Sequence, residues 1–212
     1  MLPAPQRRLW SALGDTPTDF VLYGGTALAL RLGHRESVDF DFFSREPFAP
    51  EDLRKRIGYL NAARTLQQSE NTLTCVVARE GDVHVSYLGG LDLCSVHEPD
   101  RADGAGIFVA SLLDLAATKV TTVQARADAK DYLEIDALLG AGVTLEDALG
   151  AAGAVYGGGF NPLLTLKALT YFGEGDLDAV PTVVRDRLAT AVASVDPGRL
   201  PTFEPRPWLR RT

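Results

Sequence analysis

One stretch, residues 23–44 (YGGTALALRLGHRESVDFDFFS), restricts the fold of this 212-residue chain more than any other. It follows an apolar run, DFVLY at 19–23, that predicts a buried strand. Two glycines come next, and then an Ala- and Leu-rich segment that predicts a helix over residues 26–32. Residues 38–43 alternate aspartate with apolar side chains, which is the period of a β-strand. The order of strand, glycine pair, helix and strand predicts an α/β core around this stretch.

The two aspartates of the second strand are the first candidates for chemistry. Side chains two residues apart on a strand point to one face, so Asp39 and Asp41 project together, with Phe40 and Phe42 on the other face. Two convergent carboxylates suit a hard divalent cation such as magnesium (Mg2+), which in turn binds phosphate oxygens. An isolated Asp-x-Asp, however, is more often a pair of solvated aspartates on a half-buried strand.

The glycine pair, Gly24 and Gly25, lies where the first strand passes into the helix. Glycine lets the backbone approach a ligand closely, and the exposed amides of a helix N-terminus bind phosphate groups. The hydroxyl of Thr26 is a further candidate. A glycine pair alone usually marks a turn. In this order, ahead of the two aspartates, it predicts half of a nucleotide- and metal-binding site.

These residues resemble the polymerase-β-like nucleotidyltransferase superfamily, whose signature is an apolar residue, GG or GS, a short spacer, and DxD or DxE. Within it, GGTALALRLGHRESVDFDFF is similar to the AbiEii/AbiGii toxin-type nucleotidyltransferases. The residues that fall on that group's pattern are Gly24, Gly25, Thr26, Arg35, Ser37, Asp39 and Asp41. The resemblance implies transfer of a nucleoside monophosphate from an NTP, with Asp39 and Asp41 holding Mg2+.

For Arg35 and Ser37, a role in nucleotide binding has to be weighed against an ordinary structural role. Arginine binds phosphate oxygens bidentately, so Arg35 is a candidate contact for the triphosphate, and a plain surface arginine is the alternative. Ser37 falls on the nucleotide-binding pattern, and a strand-initiating serine is the alternative.

The composition changes near Ser111, where alanine and leucine at helical spacing take over. Asp128 has the sequence context of an N-cap that starts a separate helix. Helices are predicted near 111–126, 128–139, 144–155, 161–172 and 180–194. The pattern therefore predicts an α+β fold, with a core at 1–108 and a C-terminal helical bundle at 109–212. The resemblance implies that the core is a mixed β-sheet nucleotidyltransferase core of the polymerase-β kind, and that the bundle closes over the active site.

The helical half carries a second set of candidates. On one continuous helix, Lys119, Arg126 and Lys130 would form a basic stripe, but a break at Asp128 would make their alignment only approximate. A solvated helix face is the ordinary alternative. The resemblance extends to R-A-D-A-K-D at 126–131, and it implies that Lys119 binds phosphate.

The same motif implies that Lys130 and Asp131 lie near the reacting centre. Lys119 and Lys130 are then expected to face Asp39 and Asp41 across one cleft. Asp131 would orient a lysine or act as base on an acceptor hydroxyl. Glu134 stands where that group often has a second aspartate.

One departure concerns the third carboxylate that the wider superfamily commonly has on a later strand. The candidate strand is DVHVSY at 82–87, and Ser86 stands where an aspartate is expected. Three alternatives follow: two carboxylates suffice, His84 or Asp82 contributes, or catalysis is weak.

Charge and composition limit the partners. The net charge of −7 makes the molecule as a whole repel nucleic acid, so an RNA partner needs a local basic patch. Two cysteines, no signal-type N-terminus and no long apolar run predict a cytoplasmic protein without a membrane span. The tail, PTFEPRPWLRRT, is expected to be extended.

The resemblance also implies partners: an NTP, an acceptor that is a tRNA 3′ end or a protein hydroxyl, and an antitoxin made as a separate chain. Two alternatives are a catalytically degenerate nucleotide-binding module and a small-molecule nucleotidyltransferase of the aminoglycoside-modifying kind.

Overall fold

The computed structural model describes residues 2–207, and these form two compact units. The first comprises residues 2–93 and 98–111, and the second comprises residues 94–97 and 112–207. The end of the predicted extended tail, residues 208–212, lies outside the described residues.

Most of the strands lie in the first unit, and most of the helices lie in the second. The strands are β1 (Val21–Tyr23), β2 (Asp39–Phe43), β3 (Arg64–Ser69), β4 (Thr72–Ala78), β5 (Asp82–Leu88), β6 (Cys94–Ser95), β7 (Asp100–Arg101), β8 (Phe108–Val109) and β9 (Arg206–Pro207). The helices are α1 (Ala4–Trp10), α2 (Gly24–Leu32), α3 (Pro50–Arg56), α4 (Leu112–Thr122), α5 (Ala129–Gly140), α6 (Leu145–Tyr156), α7 (Pro162–Ala168) and α8 (Thr182–Ser194).

A seven-stranded mixed sheet organises the first unit, with strand order β3-β4-β5-β2-β1-β8-β7. The central strand β2 runs antiparallel to β1 and parallel to β5. The hairpin of β4 and β5 turns at Glu80 and Gly81, both of which have positive φ. The sheet and its helices confirm the predicted α+β class.

Aromatic side chains fill the core on one face of this sheet. Phe40, Phe42 and Tyr87 are fully buried, and the ring of Phe42 stacks on that of Tyr87 with centroids 5.2 Å apart. Phe20 meets Tyr87 edge-on at 5.1 Å. Burial of rings of this size supplies much of the stability of such a core, so β2 is held in place by the side chains that alternate with its aspartates.

The second unit is a helical bundle in which α4 packs against α6 and α5. Its core is largely alanine, leucine and valine, which lets the helices approach closely. The segment 94–97 belongs here because the buried Asp114 carboxylate of α4 accepts hydrogen bonds from the backbone amides of Val96 (2.7 Å) and His97 (3.3 Å).

Among residues 2–207, no individual helix is long and apolar enough to cross a membrane. The neighbouring helical segments Ala129–Gly140 and Leu145–Gly159 reach that length and apolar composition only when they are taken together. The chain bends by 115° between them.

Candidate active site

Strand β2 presents its two aspartates on the face opposite the aromatic core. Burial alternates along the strand: Phe40 and Phe42 are fully buried, Asp41 is partly exposed, and the Asp39 side chain is 51% exposed. The predicted alternation is therefore confirmed, and both carboxylates are on the side that a ligand can reach.

The glycine pair meets the aspartate pair at Gly24. Tyr23 pairs with Asp41 across β1 and β2, so the turn into α2 lies beside the Asp41 side chain. Gly24 has φ of 70°, a left-handed conformation that favours glycine. A Cβ added there would lie 2.7 Å from Oδ2 of Asp41. A side chain at position 24 would thus be both strained and in collision with the carboxylate, and only glycine leaves this niche open.

Thr26 and Ser37 tie α2 to the start of β2. Both are buried. The Thr26 hydroxyl donates to the Asp39 backbone carbonyl and lies 2.8 Å from the Ser37 hydroxyl. In this structure the two hydroxyls therefore position Asp39, and their predicted contacts with a nucleotide stay predictions.

Arg35 lies in the loop between α2 and β2 and is partly exposed. One contact of its guanidinium is with the neighbouring backbone, where Nη1 donates to the Glu36 carbonyl at 2.8 Å. Its role in triphosphate binding remains a prediction.

Strand β5 lies directly beside the aspartates. In the parallel register, Asp39 is opposite His84 and Asp41 is opposite Ser86, which confirms the strand and face expected from the sequence. Ser86 lies where a third carboxylate would be, and its Oγ is 3.4 Å from Oγ1 of Thr74. Nδ1 of His84 is 3.6 Å from Oδ1 of Asp39.

This face fits a divalent cation that shares its ligands with a substrate. Within residues 2–207, no group of three or more His, Cys, Asp and Glu side chains is arranged to hold a metal ion. Mg2+ sites with phosphate substrates use one or two carboxylates and take the remaining ligands from phosphate and water. Asp39 and Asp41, beside the niche at Gly24, supply such a donor set.

The second unit contains a buried cluster of opposite charges. Nζ of Lys119 in α4 lies 2.9 Å from Oδ1 of Asp131 and 2.5 Å from Oε2 of Glu134 in α5. Arg126 clamps the same aspartate, with Nε to Oδ2 at 2.7 Å and Nη2 to Oδ1 at 3.1 Å. Asp131 and Glu134 are fully buried, whereas half of the Arg126 side chain is exposed. Two cations thus balance two carboxylates.

The pKa values reflect this pairing. Burial by itself raises the pKa of the Asp131 carboxyl, but the hydrogen bonds from Arg126 and the charge of Lys119 outweigh it and hold that pKa below its ordinary value. The hydrogen bond to Asp131 raises the pKa of Arg126. Asp131 is therefore an ionised acceptor locked between two cations.

A continuous basic stripe does not form. The chain leaves helical geometry between Thr122 and Ala129, and the Asp128 side chain caps α5 by accepting from the Lys130 amide at 3.1 Å. This confirms the predicted N-cap. Lys119 is buried in the cluster, while Lys130 is exposed with its Nζ 3.2 Å from Oδ2 of Asp128.

The groove beside Arg126 was not predicted from the sequence. Its exposed part lines a groove of about 540 Å³ in the second unit, together with Lys167 and Tyr171. Lys167 and Tyr171 lie on α7 and just after it, so their proximity to Arg126 depends on how the helices pack, and no local sequence signal announces it.

The architecture matches that of nucleotidyltransferases. The crystal structure of a proposed nucleotidyltransferase from H. pylori superposes with a TM-score of 0.55 at 17% identity, covering 89% of this chain and 90% of that one. An antigenic nucleotidyltransferase-like protein from Paracoccidioides brasiliensis gives a TM-score of 0.52 at 13% identity, covering 90% of this chain and 93% of that one. The class is thus a nucleotidyltransferase fold with an Asp-x-Asp face.

The chain belongs to the nucleotidyl transferase AbiEii toxin family of type IV toxin–antitoxin systems, whose family model matches residues 8–206. An uncharacterized protein of Aquifex aeolicus (strain VF5) is 34% identical over 119 residues, which are 55% of this chain. The match spans just over half, 56%, of the length of that relative.

Proposed function

We propose that this protein is a metal-dependent nucleotidyltransferase that moves a nucleoside monophosphate from an NTP to an acceptor hydroxyl. The observation that carries the proposal is the position of Gly24 against Asp41, where a Cβ would lie 2.7 Å from the carboxylate. This contact means that a turn able to bind phosphate lies next to a pair of carboxylates able to bind a cation.

The first unit binds the NTP, which is the nucleotide donor. Asp39 and Asp41 would hold the cation, which would neutralise charge on the triphosphate and the leaving group. The backbone at Gly24 and Gly25 receives phosphate oxygens, and Arg35 adds a cation to them. Thr26 and Ser37, also predicted to bind nucleotide, act mainly through the position of Asp39.

The transfer is a displacement at the α-phosphorus. The acceptor oxygen forms a bond to this phosphorus, and the bond to the oxygen that bridges the α- and β-phosphates breaks. Pyrophosphate leaves, and the hydroxyl proton passes to a base. Such reactions are accelerated mainly by positioning and charge neutralisation.

The second unit supplies Lys119, Arg126, Lys130 and Asp131 to the same reaction. Of the two roles predicted for Asp131, the lowered pKa and the two cationic partners support orientation of Lys119 and Arg126 rather than proton abstraction. A base works best when its pKa lies near the working pH. The half-exposed Arg126 and the exposed Lys130 are the cations of this set that a phosphate group can reach, while Lys119 holds Asp131 from its buried position.

The acceptor we propose is a tRNA 3′ end or a protein hydroxyl, and the biological role is that of a toxin with a separate antitoxin chain. The family description supports the toxin role, because it is one of toxins from type IV toxin–antitoxin systems. The net charge of −7 requires an RNA acceptor to be held by local cations.

The test is transfer of label from NTPs carrying 32P at the α-position, with NTPs labelled at the γ-position in parallel. The protein is incubated with Mg2+ or Mn2+ and with total RNA, cellular protein or an aminoglycoside. We expect label to move from the α-position only, and to be lost in Asp41→Asn. Label arriving from the γ-position, or undiminished transfer by Asp41→Asn, would contradict the proposal.

A degenerate nucleotide-binding module is the second candidate, because Ser86 stands beside Asp41 where a carboxylate is expected. It predicts metal-dependent NTP binding with no transfer to any of these acceptors. Transfer to an aminoglycoside alone would instead identify a small-molecule enzyme.

A further inference from the structure

The face around Asp39 contains one strong metal ligand that is not a carboxylate. His84 of β5 is the register partner of Asp39, and its side chain is 48% exposed on the same face. Nδ1 of His84 and Oδ1 of Asp39 are 3.6 Å apart. Two adjacent ligands of one octahedral ion at bond lengths of about 2.1 Å lie about 3 Å apart, so a small side-chain adjustment brings both onto one cation.

The next residue of β5 on the same face, Ser86, is not an equivalent metal ligand. Ser86, the partner of Asp41, ends in a neutral hydroxyl close to the Thr74 hydroxyl. A neutral hydroxyl is a much weaker ligand for a divalent cation than a carboxylate or an imidazole. The nitrogen of His84 is therefore the donor that β5 brings next to the aspartates.

We infer that His84 is the third protein ligand of the catalytic cation and shifts its preference from Mg2+ towards a first-row transition ion such as Mn2+. Imidazole binds these ions, whereas Mg2+ is bound almost entirely by oxygen. Within residues 2–207 no three His, Cys, Asp or Glu side chains form a complete metal site by themselves, and phosphate oxygens of the substrate would supply the ligands that Asp39, Asp41 and His84 do not. This inference rests on the proposed function, because it assigns a ligand of the same site.

The experiment is pulsed EPR of Mn2+ bound to the full chain with a non-hydrolysable NTP, which detects a directly coordinated imidazole nitrogen. The chain has three histidines, so assignment needs few variants. We expect a nitrogen coupling in the wild type that is absent in His84→Asn and retained in His97→Asn. Competition titrations should show that His84→Asn lowers Mn2+ affinity by about tenfold or more with little change for Mg2+.

A second variant tests the same inference in the opposite direction. His84→Asp restores an oxygen ligand at this position, and we expect it to raise Mg2+ affinity relative to Mn2+. If the nitrogen coupling is missing while Asp39→Asn still abolishes Mn2+ binding, the assignment of His84 is overturned and the proposed function stands. If Asp39→Asn leaves Mn2+ binding intact, the proposed function fails and the inference fails with it.

Discussion

Gly24 combines a left-handed backbone conformation with a position next to the Asp41 carboxylate. Its φ of 70° disfavours any side chain, and a Cβ would collide with Asp41 Oδ2. We expect Gly24→Ala to lower the free energy of unfolding by about 1–3 kcal/mol and to weaken metal–nucleotide binding. Urea denaturation and a calorimetric nucleotide titration measure the two effects.

Gly33 provides the matched control at the other end of α2. It also has positive φ, 63°, but nothing lies within 4 Å of an added Cβ. Gly33→Ala should show the cost of backbone strain and leave nucleotide binding unchanged. Equal binding by Gly24→Ala and Gly33→Ala would show that the contact with Asp41 is unimportant.

At the scale of elements, the link between α2 and β2 depends on the buried Thr26 hydroxyl. Thr26→Val keeps the shape but leaves the Asp39 carbonyl and the Ser37 hydroxyl without this partner. We expect a loss of about 1–3 kcal/mol in the free energy of unfolding and weaker metal binding. Thr26→Ser, which keeps the hydroxyl, should retain most of both. Wild-type metal affinity in Thr26→Val would show that the link does not position Asp39.

The junction of α4 and α5 depends on Asp131. Asp131→Asn leaves Lys119 and Arg126 without their shared carboxylate, and we expect a loss of about 3–5 kcal/mol at neutral pH. Because the pKa of Asp131 is lowered in the folded protein, this stabilisation is present above the ordinary carboxyl pKa of about 4. It disappears as the pH falls through the folded-state value.

Unfolding free energies of wild type and Asp131→Asn, measured against pH, should therefore differ at pH 7 and converge in acid. Asp136→Asn is the control on the same helix. Asp136 pairs with the half-exposed Arg187, whereas Asp131 is fully buried and also pairs with the buried Lys119, so the loss of Asp136 should matter less. A constant difference from pH 7 down to strongly acidic pH would contradict the pairing.

Across the whole molecule, the sequence predicted what depends on local pattern. The alternation of residues 38–43 placed Asp39 and Asp41 on one face, and the N-cap at Asp128 marked the start of α5. The same local signals gave the five helices after residue 111 to within a few residues.

Contacts between distant segments were not predictable in the same way. The resemblance indicated the strand and face of His84, but the register that sets it beside Asp39 depends on how β2 and β5 pair. The burial of Lys119 depends on how α4 and α5 pack, and the sequence alone left it as one member of a basic stripe. Both features arise from tertiary packing, which no short pattern in the sequence encodes.

The most direct test of the central claim, that the glycine pair and the aspartate pair form one metal–nucleotide site, is calorimetric titration of a non-hydrolysable NTP. Wild type and Asp52→Asn, a surface control on α3, should bind only when a divalent cation is present. Asp39→Asn and Asp41→Asn should each bind at least about tenfold more weakly, which is about 1.4 kcal/mol. Metal-independent binding, or undiminished binding by both variants, would contradict the claim.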